Sequence, residues 1–133
     1  MKLSETLQNT DITQSGDWFT HNDEGMFYGA CAMGTLAIEA GMTPINLHEN
    51  PKITYIVDEI VFAIHQHFDT PICTPSISKQ RLKSAVGSDK ANIMFEVHEG
   101  EDQLSLYNLI MYLNDELQMS FTEIADVLEK LGL

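Results

Sequence analysis

Basic residues are scarce in this 133-residue chain. Seven Lys plus Arg stand against twenty Asp plus Glu, for a formal net charge of −13. A field of that sign repels nucleic acid and anionic lipid, and it draws basic partners or cations. Direct nucleic-acid binding and a membrane role are therefore not expected. Long apolar runs are absent as well: none approaches the roughly 20 residues needed to span a bilayer. Met1 to Thr10 lacks the apolar centre of a secretory signal. Cysteine is limited to Cys31 and Cys73. A chain of this size builds a core without a covalent staple, so reduced thiols and a cytoplasmic location are expected. No repeat, low-complexity tract or Pro/Gly-rich linker divides the sequence, which reads as one domain over residues 1–133.

The acid that is present is unevenly placed. Nine carboxylates fall between Glu96 and Glu129 (Glu96, Glu99, Glu101, Asp102, Asp115, Glu116, Glu123, Asp126 and Glu129), with no Lys or Arg among them. Four of the seven basic residues instead lie between Lys79 and Lys90. Such a distribution suits a solvated surface that keeps the protein soluble, the commoner role of such charge; it also suits an acidic partner-binding face.

Hydrophobic spacing points to a mainly α protein, a compact bundle of five to six helices ending in a helical hairpin, with room for one short strand. Leu3 to Gln8 reads as a short helix, and Thr10 to Gly25 as polar and turn-rich, anchored by Trp18 and Phe19. A helix is expected from Phe27 to Ala40, with Gly41 as its left-handed cap and Pro44 beyond. Gly29, Ala30, Ala32 and Gly34 make it thin, which calls for a closely packed neighbour. In the next helix Asn50 caps and Pro51 fills the first turn, then Ile53, Ile56, Val57, Ile60, Val61, Ile64 and Phe68 recur at helical spacing. Tyr55 and Phe62 lie opposite, so this helix is expected to be central. Thr74 and Pro75 mark a further helix start, and Gly87 its stop. Ile93, Phe95 and Val97 alternate like a strand, but with no partner strand in view a helix is favoured.

The hairpin is the most strongly specified part. Leu106, Leu109, Ile110, Leu113 and Leu117 form one stripe, and Leu104, Tyr107 and Met111 a second. Ser120 and Glu123 have capping-box spacing, Met119 and Ile124 that of a hydrophobic staple. Phe121, Ile124, Ala125, Leu128 and Leu131 should face inward, with Glu123, Asp126 and Glu129 outward and Gly132 ending the helix.

No grouping makes a strong catalytic or metal motif. His65 and His67 are two apart on a helix and diverge, whereas metal ligands on one helix face sit three or four apart. His21 to Gly25 lacks the alternating ligands and final Glu of a calcium loop; Cys31 stands where that Glu belongs. No Walker-type loop, dinucleotide fingerprint or zinc-ligand cluster occurs, so neither cofactor nor metal is expected. Cys31 with His21 and Asp23 can be drawn as a nucleophile set, but unpaired Cys is among the most buried residue types. The SFTEIADVLEKLGL tail looks like the second-helix region of a helix-turn-helix. A recognition helix would have to follow, and the hairpin carries one Lys against several carboxylates, so DNA reading is not expected.

Trp18, the Gly29/Cys31/Gly34/Leu36 helix pattern, the Asn114-Asp115 pair and the Phe121 to Leu128 stretch together resemble a family of small uncharacterised bacterial and phage proteins. The resemblance covers both ends of the chain and not its middle third. It implies a compact helical domain and a bacterial or phage source, and it supplies no catalytic residue.

Three functional readings follow. The first is a non-enzymatic protein, a phage-encoded inhibitor or regulator, presenting acid to a basic nucleic-acid-handling partner by charge mimicry. The second is a small enzyme using Cys31 and His21. The third is a homo-oligomeric helical scaffold.

Overall fold

A computed structural model describes residues 1–46, 56–98 and 101–133. The chain is mixed α/β, not a mainly α bundle of five to six helices: the described residues are 55% helical, and among them are seven α-helices and five short strands in two small sheets. The largest departure lies at Phe27 to Ala40. Its first third is a strand, β3 (Phe27–Ala30), and the helix begins only after Cys31. β3 is the centre of a three-stranded sheet. It pairs in parallel with β1 (Thr13–Gln14) and antiparallel with β2 (Thr20–His21). Helical spacing cannot foresee this, because the pairing that stabilises β3 comes from residues 13–21 and not from its own neighbours. Gly29 is needed for that pairing: a Cβ there would stand 2.7 Å from the Thr13 carbonyl oxygen.

The turn between β2 and β3 is built by Asn22, whose side-chain oxygen accepts from the backbone N–H groups of Glu24 and Met26 at 3.0 Å each. The stretch from His21 to Gly25, which lacks the ligands of a calcium loop, is an Asx-type turn.

α1 spans Leu3–Asn9, α2 Ala32–Glu39 and α3 Ile56–Phe68. Gly41 follows α2 at φ +104°, as its capping role requires. Ile56, Ile60 and Ile64 bury one face of α3, but Phe62 on the other is 65% exposed, so α3 is one-sided and peripheral. Asn50, Pro51, Ile53, Tyr55 and Glu99 lie outside the described residues. The start signal at Thr74 and Pro75 opens a strand, β4 (Pro75–Ser78), which pairs antiparallel with β5 (Gln103–Ser105). Ser78 is the true cap of α4 (Lys79–Val86), accepting from the Arg81 N–H at 3.2 Å. Gly87, at φ +91°, turns the chain into α5 (Ser88–Val97), which absorbs the ambiguous residues 93–97 as helix.

The C-terminal part departs from a simple hairpin. α6 (Leu106–Met111) runs into a π-turn (Tyr112–Glu116), and α7 (Phe121–Lys130) then packs chiefly on α1 and α4. The inward set Phe121, Ile124, Ala125, Leu128 and Leu131 is buried, and the outward carboxylates are exposed. The capping box is complete, with Ser120 Oγ accepting from the Glu123 N–H (3.2 Å) and Glu123 Oε1 from the Ser120 N–H (3.1 Å). Ser120→Ala should lower stability by about 1 kcal/mol. The expected readout is a lower urea midpoint at unchanged slope.

Candidate functional site

The residues singled out at the two ends of the sequence meet around the start of α2. Cys31 sits between β3 and α2 in extended conformation (φ −72°, ψ 175°), and its N–H donates to the Asp17 carbonyl at 2.7 Å. The Cys31 side chain makes no capping hydrogen bond, and the first N–H of α2, which an N-cap side chain does not serve, needs an acceptor from elsewhere. That acceptor is Asn114 in the π-turn, whose Oδ1 takes the Ala32 N–H at 3.1 Å. Asn114 Oδ1 also accepts from Gln14 Nε2 at 3.1 Å, and its Nδ2 donates to Asp115 Oδ1 at 2.9 Å.

Gln14 completes the clamp. Its Nε2 donates to the Met119 carbonyl at 2.6 Å, and its Oε1 accepts from the Phe121 N–H at 3.0 Å. One side chain on β1 thus ties the π-turn to the start of α7. Trp18 joins the same neighbourhood: its ring lies 6.4 Å from that of Tyr107, and its backbone carbonyl lies against Gly34. Gln14, Asn114, Asp115 and Gln118 line an open depression of about 510 Å³ above the clamp.

The chemistry this allows is narrow. Cys31 is 2% exposed, and burial pushes its thiol from the ordinary 9.0 up to about 11. The N–H groups of Gly34 and Met33 pull the other way without offsetting burial. A protonated, water-excluded thiol is a poor nucleophile at neutral pH. His21 stands on β2 with its ring edge-on to Phe27 at 5.7 Å, and no hydrogen bond or ion pair joins it to Cys31 or Asp23. Tyr107 is also held protonated beyond its usual range, first by burial and then by the charges Cys73, Cys31 and Asp115 would carry.

Thiol labelling should therefore separate the cysteines. At pH 8, Cys73, which is exposed, should react within minutes, and Cys31 only on unfolding. Because the folded Cys31 value lies above that of a free thiol, its contribution to stability is complete below pH 9 and lost as pH rises towards 11. Wild type should lose of the order of 2 kcal/mol more than Cys31→Ala across that interval.

Among the described residues, the predicted acidic residues line several different depressions. Asp115 and Glu116 line a depression with the last turn of α5. Glu101 and Asp102 line another beside Pro75 and Ser78. Glu123, Asp126 and Glu129 share a groove of about 670 Å³ with Lys83, Lys90 and Lys130. Glu96 is exposed on α5. Among the described residues, no three His, Cys, Asp or Glu side chains are placed to hold a metal ion. His65 and His67 end α3 as exposed side chains. No helix among the described residues is long and apolar enough to cross a membrane. Gln14 is the residue sequence reasoning missed; nothing in its polar, turn-rich surroundings marks it.

No protein-family model, curated protein or solved structure matches the chain.

Proposed function

We propose that this chain is a non-enzymatic acidic binding protein, an inhibitor or regulator that offers its carboxylates to a basic, nucleic-acid-handling partner. The observation that carries the reading is how few of those carboxylates are neutralised internally. Glu96, Glu101, Asp102, Asp115, Glu116, Glu123, Asp126 and Glu129 are all exposed. Among the described residues only Asp126 has a Lys or Arg within ion-pair distance, Lys130 at 3.1 Å; Glu101 also meets the His98 imidazole at 4.0 Å. Unpaired surface carboxylates raise the negative potential that steers a basic partner into contact. The enzyme reading with Cys31 has the opposite support, since its nucleophile is buried and protonated.

Capture from a bacterial lysate at about 50 mM and about 1 M salt tests the proposal, with retained proteins identified and challenged by duplex DNA. A basic nucleic-acid-handling protein should be held at low salt, released at high salt and displaced by DNA. Retention of nothing basic at low salt, or binding indifferent to salt, overturns it.

A further inference from the structure

One place on this fold joins uncompensated acid to unused apolar surface. The last turn of α5 and the π-turn enclose an open depression of about 360 Å³, with Val97, Met111 and Tyr112 as its apolar part and Asp115 and Glu116 as its acidic part; Asn108 and His98, whose imidazole lies 4.0 Å from Glu101, complete the lining. Val97 is 64% exposed, and Ile93, one turn earlier on the same face of α5, is 49% exposed. Single exposed aliphatics are ordinary; a pair at helical spacing leading into an acid-edged hollow is a surface ready to be covered. Neither Asp115 nor Glu116 has a cationic partner among the described residues. The hydrogen bond from Asn114 orients the Asp115 carboxylate and leaves its charge in place.

The other acidic depressions differ. The groove holding Glu123, Asp126 and Glu129 also holds Lys83, Lys90 and Lys130, three cations that oppose an incoming basic side chain even though only Asp126 and Lys130 stand within ion-pair distance. The hollow at Glu101 and Asp102 has Pro75 as its apolar side chain, beside Ser78 and Gln103.

We propose that the hollow between α5 and the π-turn docks an arginine side chain of a basic protein partner; this deepens the binding reading above and rests on it. The aliphatic stem of an arginine would cover Val97 and Met111, as long cationic side chains do when they lie along apolar surface. Its planar guanidinium, more weakly hydrated than an ammonium, packs on an aromatic side chain such as Tyr112 and presents several N–H donors to adjacent carboxylates. A lysine meets the charge requirement but lacks the fork and the flat face.

The test uses the full chain, ¹⁵N-labelled, and a short Ser/Gly peptide with a Leu-Arg-Leu centre, alongside the same peptide with Lys or citrulline in place of Arg. The Arg peptide should shift the amide signals of Val97, His98, Met111, Tyr112, Asp115 and Glu116. The Lys peptide should bind at least about threefold more weakly, and citrulline should give no shift. Glu116→Gln and Val97→Ser, both at exposed positions, should each weaken binding about fivefold, while Glu129→Gln should not change it. The dispersion of each variant's spectrum shows that it is folded. Shifts centred elsewhere, no shift at low salt, or indifference to Glu116→Gln and Val97→Ser would overturn the site. Equal binding of Lys and Arg would overturn the choice of arginine. The lysate capture judges the wider binding reading separately, because it does not depend on where the partner sits.

Discussion

Gly34→Ala should cost about 3 kcal/mol or more, a large part of the 5 to 15 kcal/mol that holds a typical domain together. The sign is opposite to what helix propensity gives, since alanine in a helix normally gains about 1 kcal/mol over glycine. Here the added methyl would come 2.9 Å from the Trp18 carbonyl carbon and closer still to its oxygen. The obstacle is backbone, and backbone with little freedom to retreat. Asp17 holds the Cys31 N–H at 2.7 Å, the Ser15 and Thr20 hydroxyls meet at 2.6 Å, and the Trp18 ring packs on Tyr107. Displacing the Trp18 carbonyl would therefore disturb several of these contacts together. Gly16→Ala is the control, because a methyl there meets nothing within 4 Å. Urea unfolding followed by fluorescence of the single tryptophan should show a large drop in midpoint for Gly34→Ala and little change for Gly16→Ala. A Gly34→Ala protein as stable as wild type would mean that the Trp18 segment is free to move.

The same glycine shows what the sequence could and could not disclose. Small residues from Gly29 to Gly34 announce that something approaches closely, and two things do: the Thr13 carbonyl at Gly29 and the Trp18 carbonyl at Gly34. Which partners they are, and that the chain changes from strand to helix between them, depends on residues some 16 positions upstream. Local spacing carries no information about that. α7 lies at the other extreme. Its cap, its buried stripe and its stop at Gly132 are written within fourteen consecutive residues, and all three appear as expected. β4 was hidden for the reason that hid β3: four residues beginning with a proline resemble a helix start until Leu104, 27 positions after Ile77, pairs with them. At the site, Trp18, Cys31, Asn114 and Asp115 stood out as residue types, but only the fold shows that Asn114 caps the helix that Cys31 leaves uncapped.

That cap makes Asn114 the second sensitive position, and here charge can be separated from shape. Asn114→Ala leaves the buried Ala32 N–H without an acceptor, and it removes the Gln14 contact and the bond to Asp115. A buried donor left unpaired, together with a lost cap, should cost about 2 to 4 kcal/mol. Gln14→Ala should cost less than the sum in combination with Asn114→Ala, since the two share a hydrogen bond. Asn114→Asp keeps the acceptor for Ala32 but replaces the Nδ2 donor with an oxygen facing Asp115 Oδ1, which sits 2.9 Å away from that atom. Two carboxylates held so close raise the proton affinity of the folded state, so this variant should be destabilised at pH 7. A pair with a folded-state pKa above its unfolded value binds more protons when folded, and its stability relative to wild type must recover as pH falls. Urea midpoints for Asn114→Asp and wild type should therefore converge between pH 7 and about pH 4.5, whereas Asn114→Ala should stay displaced at both. A constant gap for Asn114→Asp would show that the cost lies in packing at the π-turn and not in charge beside Asp115.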